Sequence, residues 1–172
     1  GDDAVMSSQE DCYDVLSMRG IYDFAVHADI EDVKAVRDRQ ISCNMAIAQE
    51  GLRQSYGASI SSILLSTYGN NLQTRAKAMA AAGSDARMSG CELPVIILSG
   101  SGNQGMTASI PVIVYAQELN ISRENLYRAL LISNLMTVHQ KLRIGRLSAY
   151  CGVVAAGAGA GAGIAYLLGC TY

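Results

Sequence analysis

Polar and apolar positions recur with a helical period over most of this chain. From Ile30 to Tyr56, the residues Val33, Val36, Ile41, Met45, Ala48 and Leu52 fall at spacings of three to five, close to one face. Glu31, Lys34, Arg37, Asp38 and Arg39 fill the other side. The pattern predicts one long helix over Ile30 to Tyr56. Asp29 is its N-cap, with Asp32 at the third helical position, and Gly57 is the residue that stops it. A short helix, Gly20 to Ala28, is predicted before it on Ile21, Phe24 and Ala25, after a loosely held lead-in from Gly1 to Met18. Ile60 to Thr67 is apolar and partly β-branched, so its period fits a strand or a short helix. The helical surroundings select the helix. Tyr68-Gly69-Asn70-Asn71 reads as a turn, and Asn70 or Asn71 can cap the next helix, Leu72 to Met88. That segment is rich in Ala, Lys, Arg and Met, all strong helix formers. Gly83 and Ser84 weaken its last third, which marks either a kink or a close approach of two helices.

Further along, Met106 to Leu119 reads as helix although it contains Pro111. Proline is tolerated in a first turn but not in a helix interior, so the start is placed at Ser109 or Ile110. Ser122 then caps the clearest amphipathic helix, Arg123 to Leu142. Leu126, Ala129, Leu130, Ser133, Met136, Thr137 and Gln140 share one face, and Leu135, Val138 and Leu142 widen it. Gly145 punctuates. Leu147 to Leu168 forms a last helix dominated by Ala and Gly, and Gly169 ends it. No run of alternating strands and no repeat is present. The expected fold class is all-α: one compact helical domain over 1–172, with small residues where helices must approach closely.

Composition sharpens this picture. Of 172 residues, 50% are hydrophobic and 16% charged, well below the roughly 25% charge of an average domain, so the chain is core-rich. The net charge is −2, and the 13 Lys and Arg form no cluster. Both facts argue against a nucleic-acid partner. From Leu147 to Tyr172 there is no charge, a length that could cross a bilayer. The stretch holds Gly152, Gly157, Gly159, Gly161, Gly163 and Gly169, and no basic cluster or Trp flanks its far end. A buried, closely packed helix is expected rather than a membrane span. The five cysteines, Cys12, Cys43, Cys91, Cys151 and Cys170, are widely spaced, with no CxxC. An odd count without disulfide-like density points to a reducing compartment, and the acidic Gly1-Asp2-Asp3 start is unlike a secretory leader. A cytoplasmic location is expected.

The chain is organised around Ser84 to Gly105, SDARMSGCELPVIILSGSGNQG. Here a helix ends near Met88, and Cys91 sits between Gly90 and Glu92. A Pro and the aliphatic run Val95 to Leu98 then lead to Ser99-Gly100-Ser101-Gly102-Asn103-Gln104-Gly105. All residues of that last loop are small or uncharged polar. Glycine lets backbone N–H groups approach a ligand, and a Gly-rich loop opening a helix is an anion site. An ordinary helix–loop–helix connection fits the loop equally well.

Other chemistries find little support. The two histidines, His27 and His139, cannot build a His-rich metal site. No GxSxG elbow, P-loop or strand-linked GxGxxG occurs. Cys91, just past a helix end, and Cys151, opening the Ala/Gly helix, have small neighbours suited to a thiolate. A buried, inert cysteine is the simpler reading of each. Cys43 is most simply a packing residue.

SDARMSGC followed by LSGSGNQG closely resembles the L-cysteine desulfidases of bacteria and archaea, relatives of the α chain of iron–sulfur-dependent L-serine dehydratase. RQISCNMAIAQEGLRQSYGASI, RAKAMAAAGSDARMSGC and LSAYCGVVAAGAGAGAGIAYLLG extend the resemblance from about Tyr13 onward. The resemblance implies a lyase that eliminates the β-substituent of L-cysteine or L-serine, giving pyruvate and ammonia, with sulfide from cysteine. It also implies a 4Fe–4S cluster held by three cysteines with one iron left open. Cys151 is the expected ligand in this chain and Cys91 the second candidate. Cys170 carries no implied role. Ser99 to Gly105 would bind the substrate carboxylate through backbone N–H groups, with Asn103 and Gln104 as side-chain donors. Arg87 would add charge there or pair with Asp85. Family members are longer, so the chain reads as an internal or truncated piece whose partners are the remaining segments and a small amino acid. Alone it is expected to hold no intact cluster and to be inactive. The alternative is a non-catalytic helical scaffold without a cluster. The oligomeric state, a homo-oligomer included, is left open by the sequence.

Overall fold

The computed structural model describes residues 16–144 and 151–172. Among these residues the architecture is all-α: α1 (Met18–His27), α2 (Ile30–Arg53), α3 (Ile60–Tyr68), α4 (Leu72–Met88), α5 (Gly102–Glu118), α6 (Arg123–Ile144) and α7 (Gly152–Leu167). The lead-in up to Val15, with Cys12, and the start expected for the last helix at Leu147 lie outside the described residues. Among the described residues, no helix is long and apolar enough to cross a membrane.

Local chemistry explains most boundaries. Asp29 Oδ1 accepts from the Glu31 N–H at 3.0 Å and starts α2. Asn71 Oδ1 accepts from Thr74 at 2.9 Å, so Asn71 rather than Asn70 caps α4. Ser122 Oγ accepts from Asn125 at 3.2 Å at the head of α6. The helix ends repeat one device. Gly90, Asn120 and Gly169 follow the ends of α4, α5 and α7 with φ of 89°, 51° and 86°. Each sits in a Schellman turn, whose second bond runs from the next residue back to the helix: Cys91 N to Ala86 O, Ile121 N to Ala116 O and Cys170 N to Ala165 O, all within 2.9–3.0 Å.

Two expected boundaries are corrected. α2 stops at Arg53, three residues before Tyr56, with Gln54 as its C-cap. Gly57, at φ 52°, is therefore not the residue after the helix. It belongs to a turn closed by Ser59 N to Tyr56 O at 2.9 Å. That turn delivers Ile60 to Asp85 of α4, whose Oδ2 accepts the Ile60 N–H at 2.9 Å and caps α3 from outside. The larger correction concerns α5, which begins at Gly102 and not at Ser109 or Ile110, with Pro111 inside it. Pro111 has no N–H for the Thr107 carbonyl. Burial of the helix outweighs that loss, since Met106, Ile110, Val112 and Ile113 are completely buried and each large apolar side chain so buried contributes about 1.5–3 kcal/mol.

α5 is the centre of the bundle. α4 runs antiparallel to it, so a Cβ on Gly83 would lie 2.9 Å from Met106 Sδ and one on Gly102 would lie 2.5 Å from Arg87 Nε. Close approach, not a kink, is thus what Gly83 marks. α7 runs in the same direction as α5, pairing Gly152 with Gln104 and Gly163 with Val112. α6 returns antiparallel to α7. A Cβ on Gly159 would lie 2.2 Å from Thr137 Oγ1 and 2.4 Å from the Ser133 carbonyl. The amides of Gln40 and Asn134, both buried, bond reciprocally at 3.0 and 2.9 Å and tie α2 to α6.

Candidate functional site

The Ser99–Gly105 stretch is not one loop. Only Ser99 and Gly100 turn, with φ of 49° and 81°. Leu98 and Ser101 exchange backbone bonds across them at 3.0 and 3.1 Å. Ser101 is the N-cap of α5, its Oγ accepting from Gln104 N at 3.4 Å, and Gly102, Asn103, Gln104 and Gly105 form the first turn. Glycine propensity argues against a helix there, and tertiary geometry overrides it. A Cβ on Gly105 would lie 2.0 Å from the Ile96 carbonyl, and one on Gly102 would lie 2.9 Å from Val95 Cγ2. The extended segment before the turn crosses directly over the start of α5, and only glycine allows that.

Asn44 holds this crossing in place. It is fully buried on α2. Its Oδ1 accepts from Ile96 N at 2.8 Å. Its Nδ2 donates to Ser109 Oγ at 2.9 Å and to the Gly105 carbonyl at 3.4 Å. Ser109 Oγ in turn donates to that carbonyl at 2.7 Å. One amide thus joins α2, the extended segment and α5. Sequence reasoning missed Asn44. The available signal was a polar residue on the apolar face formed by Ile41, Met45 and Ala48.

Arg87 and Asp85 go separate ways. Asp85 caps α3, while Arg87 Nη1 donates to Asn103 Oδ1 at 3.2 Å. The guanidinium therefore lies beside the first turn of α5 as a half-buried cation. The N–H groups of Gly102 and Asn103 have no acceptor among the described residues.

A second helix start stands next to the first. Cys151 is the exposed N-cap of α7, not a residue within the helix, and its side chain makes no capping bond. Gly152 lies against Gln104, so that a Cβ there would fall 2.2 Å from Nε2 and 2.8 Å from Oε1. Gln104 Oε1 is buried without a hydrogen-bond partner, a costly state for a polar atom. Two parallel helices thus bring their positive ends together, with Arg87 alongside and an unsatisfied amide between them. Such an arrangement favours a small anion and one additional hydrogen-bond donor.

The described cysteines are not gathered into one metal-holding group. Cys91 is the residue after Gly90 in the turn that ends α4, half-buried against the core. It neighbours the Tyr56 phenol, which burial pushes up, with the Cys91 thiol and Glu50 adding to the shift. Cys170 holds the equivalent place after α7 and is exposed, and Cys43 is half-buried on α2. Among the described residues, no group of three or more His, Cys, Asp or Glu side chains converges to hold a metal. Among the described residues, Cys151 is an exposed thiol at a helix start.

The family model described as "Serine dehydratase alpha chain" matches residues 6–172. A UPF0597 protein of Desulfitobacterium hafniense is 62% identical over 99% of this chain and 39% of its own length. One from Lachnoclostridium phytofermentans is 59% identical over 93% of this chain and 40% of its own. A UPF0597 protein of Bacteroides thetaiotaomicron is 37% identical over 95% of this chain and 39% of its own. The chain thus spans about two fifths of the length of the curated relatives it matches. No solved structure matches it. By its match over residues 6–172, the chain belongs to the serine dehydratase alpha chain family.

Proposed function

We propose that the chain forms the amino-acid-binding part of a β-eliminating lyase acting on L-cysteine or L-serine. The observation that carries this reading is the paired start of α5 and α7, with an unsatisfied Gln104 Oε1 between them. The substrate carboxylate sits at the head of α5, where the N–H groups of Gly102 and Asn103 donate to it and Arg87 adds positive charge. Ser99, Gly100 and Ser101 shape the turn that leaves that end open. Asn103 orients Arg87. Gln104 accepts a hydrogen bond from the substrate ammonium, which satisfies its orphaned oxygen. Gly105 lets the Val95–Leu98 segment cover the site and shed water. The elimination removes the Cα proton and expels sulfide or water. The resulting enamine tautomerises and hydrolyses to pyruvate and ammonia.

Cys151 is the described residue best suited to a 4Fe–4S cluster, being exposed at the start of α7 beside the small Gly152. Cys91 is the second candidate, and the remaining ligands would come from the rest of the family polypeptide. Such a cluster, when bound, supplies a Lewis acid for the leaving group. The scattered thiols among the described residues favour one other reading, a helical scaffold without a cluster.

Amide NMR titration of this chain separates the two. L-Serine and L-cysteine at millimolar concentration are expected to shift the amides of Gly102, Asn103 and Gly152, and L-serinamide, which lacks the carboxylate, is not. Equal shifts with serinamide, or none with any ligand, would reject the carboxylate site. Anaerobic reconstitution of the intact Desulfitobacterium protein with iron and sulfide, followed by a pyruvate assay, tests the lyase. Full cluster loading without pyruvate would reject the lyase, and no iron uptake would leave the scaffold.

A further inference from the structure

Below the paired helix starts, α4, α5 and α7 enclose an open groove of about 590 Å³. It begins one turn from the site, at Ser84, Thr107 and Val153, and runs past Pro111 to Tyr115 and Ile164. Its walls are largely Ala, Gly and aliphatic, and Lys77 is its one cation among the described residues. Lys77 makes no ion pair among the described residues.

The glycines of α7 divide sharply. Gly159 and Gly163 are each required by a neighbouring backbone carbonyl and Gly152 lies against the flexible end of Gln104, whereas Gly157 and Gly161 meet nothing within 4 Å among the described residues and line the groove. Glycine in a helix interior costs about 1 kcal/mol relative to alanine, and no contact among the described residues offsets that at these two positions. They lie four residues apart on one side of α7, beside Val153, which is 43% exposed. Pro111 adds a carbonyl, that of Thr107, left without its helical donor on the same wall.

The relatives carry a long polypeptide beyond the matched region, since only 39% of the Desulfitobacterium protein is covered. We infer that a helix from that uncovered part of the family polypeptide docks in the α4–α5–α7 groove. Its bulky aliphatic side chains lie over Gly157 and Gly161, where the backbone of α7 can be approached closely. A carboxylate on its rim pairs with Lys77. The groove opens beside Cys151 and Gln104, so the docked helix would close one side of the candidate site. The inference stands on the groove and on the relatives' length, and it survives failure of the lyase reading.

The test is thiol labelling, read by mass spectrometry at the peptide concerned. Gly161→Cys is made in this chain, and the aligned residue is changed to Cys in the intact Desulfitobacterium protein. Gly161 has open space around it, so the change does not disturb the fold, and Gly157→Cys provides a second reporter. Labelling is expected to be fast in this chain and at least tenfold slower in the intact protein. Equal rates would overturn the inference. Protection in this chain alone, together with a doubled mass by light scattering, would also overturn it and assign the groove to a second copy.

Discussion

Gly152 lies so close to Gln104 that a single added methyl group would fall 2.2 Å from its amide nitrogen. The contact is with the end of a flexible side chain, so Gly152→Ala can be absorbed by moving that amide. We expect Gly152→Ala to change stability by less than about 1 kcal/mol, the range of tolerated substitutions. Amino-acid binding, read by the same amide titration, should weaken at least fivefold. Unchanged binding would remove Gln104 from the site.

Three glycines on one helix predict three different melting temperatures. Gly161→Ala should raise the melting temperature by a few degrees, because its Cβ meets nothing within 4 Å and the helix gains about 1 kcal/mol. Gly159→Ala should lower it, because its Cβ would strike the Ser133 carbonyl at 2.4 Å, and overpacking of this kind costs about 1–3 kcal/mol. Gly152→Ala should fall between them. Thermal circular dichroism checks the order, and a Gly159→Ala chain melting at or above Gly161→Ala would contradict the packing of α6 on α7.

Asn44→Ala removes the acceptor of Ile96 N and the donor of Ser109 Oγ. Leaving a buried polar group unpaired costs about 1–3 kcal/mol. Urea unfolding should show a loss of about 2–4 kcal/mol for the variant. A loss below about 0.5 kcal/mol would mean that the crossing is held by something else.

Acid sensitivity should trace in part to Asp38. The Tyr127 hydroxyl, 2.5 Å away, and Arg123, 2.6 Å away, hold its carboxyl below the usual carboxylate range. A carboxylate with a depressed folded-state pKa stabilises the fold above its ordinary value and loses that contribution as pH falls through the folded value. The melting temperature of the native chain should therefore drop more steeply than that of Asp38→Asn as pH falls below the ordinary carboxylate range. Parallel curves for the two proteins would count against this.

For the cysteines, iron binding in the longer family polypeptide should discriminate by position. Alanine at the residue aligned with Cys151 should remove most cluster absorbance, and alanine at the residue aligned with Cys170 should leave it unchanged. The reverse outcome would exchange the two roles.

What the sequence made legible was local. Asn71 before an Ala-rich run, Ser122 before an amphipathic one, and Gly90 and Gly169 after helix ends are signals whose partners lie within a few residues. Gly83 announced either a kink or a close approach, and only the folded chain decides for the close approach. The start of α5 was hidden because Gly102 and Gly105 are explained by Arg87, Val95 and Ile96, which reach them only through the folded chain. Asn44 was hidden for the same reason, its partners lying 52 to 65 residues away. The placing of Gly152, the residue after Cys151, against Gln104 depends on the parallel run of α5 and α7, which no periodicity encodes.

The amide of Ile96 sits in a segment without regular structure, yet it is bonded to a side chain at the centre of the core. Its exchange with solvent deuterium should therefore be governed by opening of the whole bundle and not by loop fluctuation. A stretch that looks like a surface connection would then record the global unfolding free energy, and the covering of the candidate site would be as durable as the fold itself.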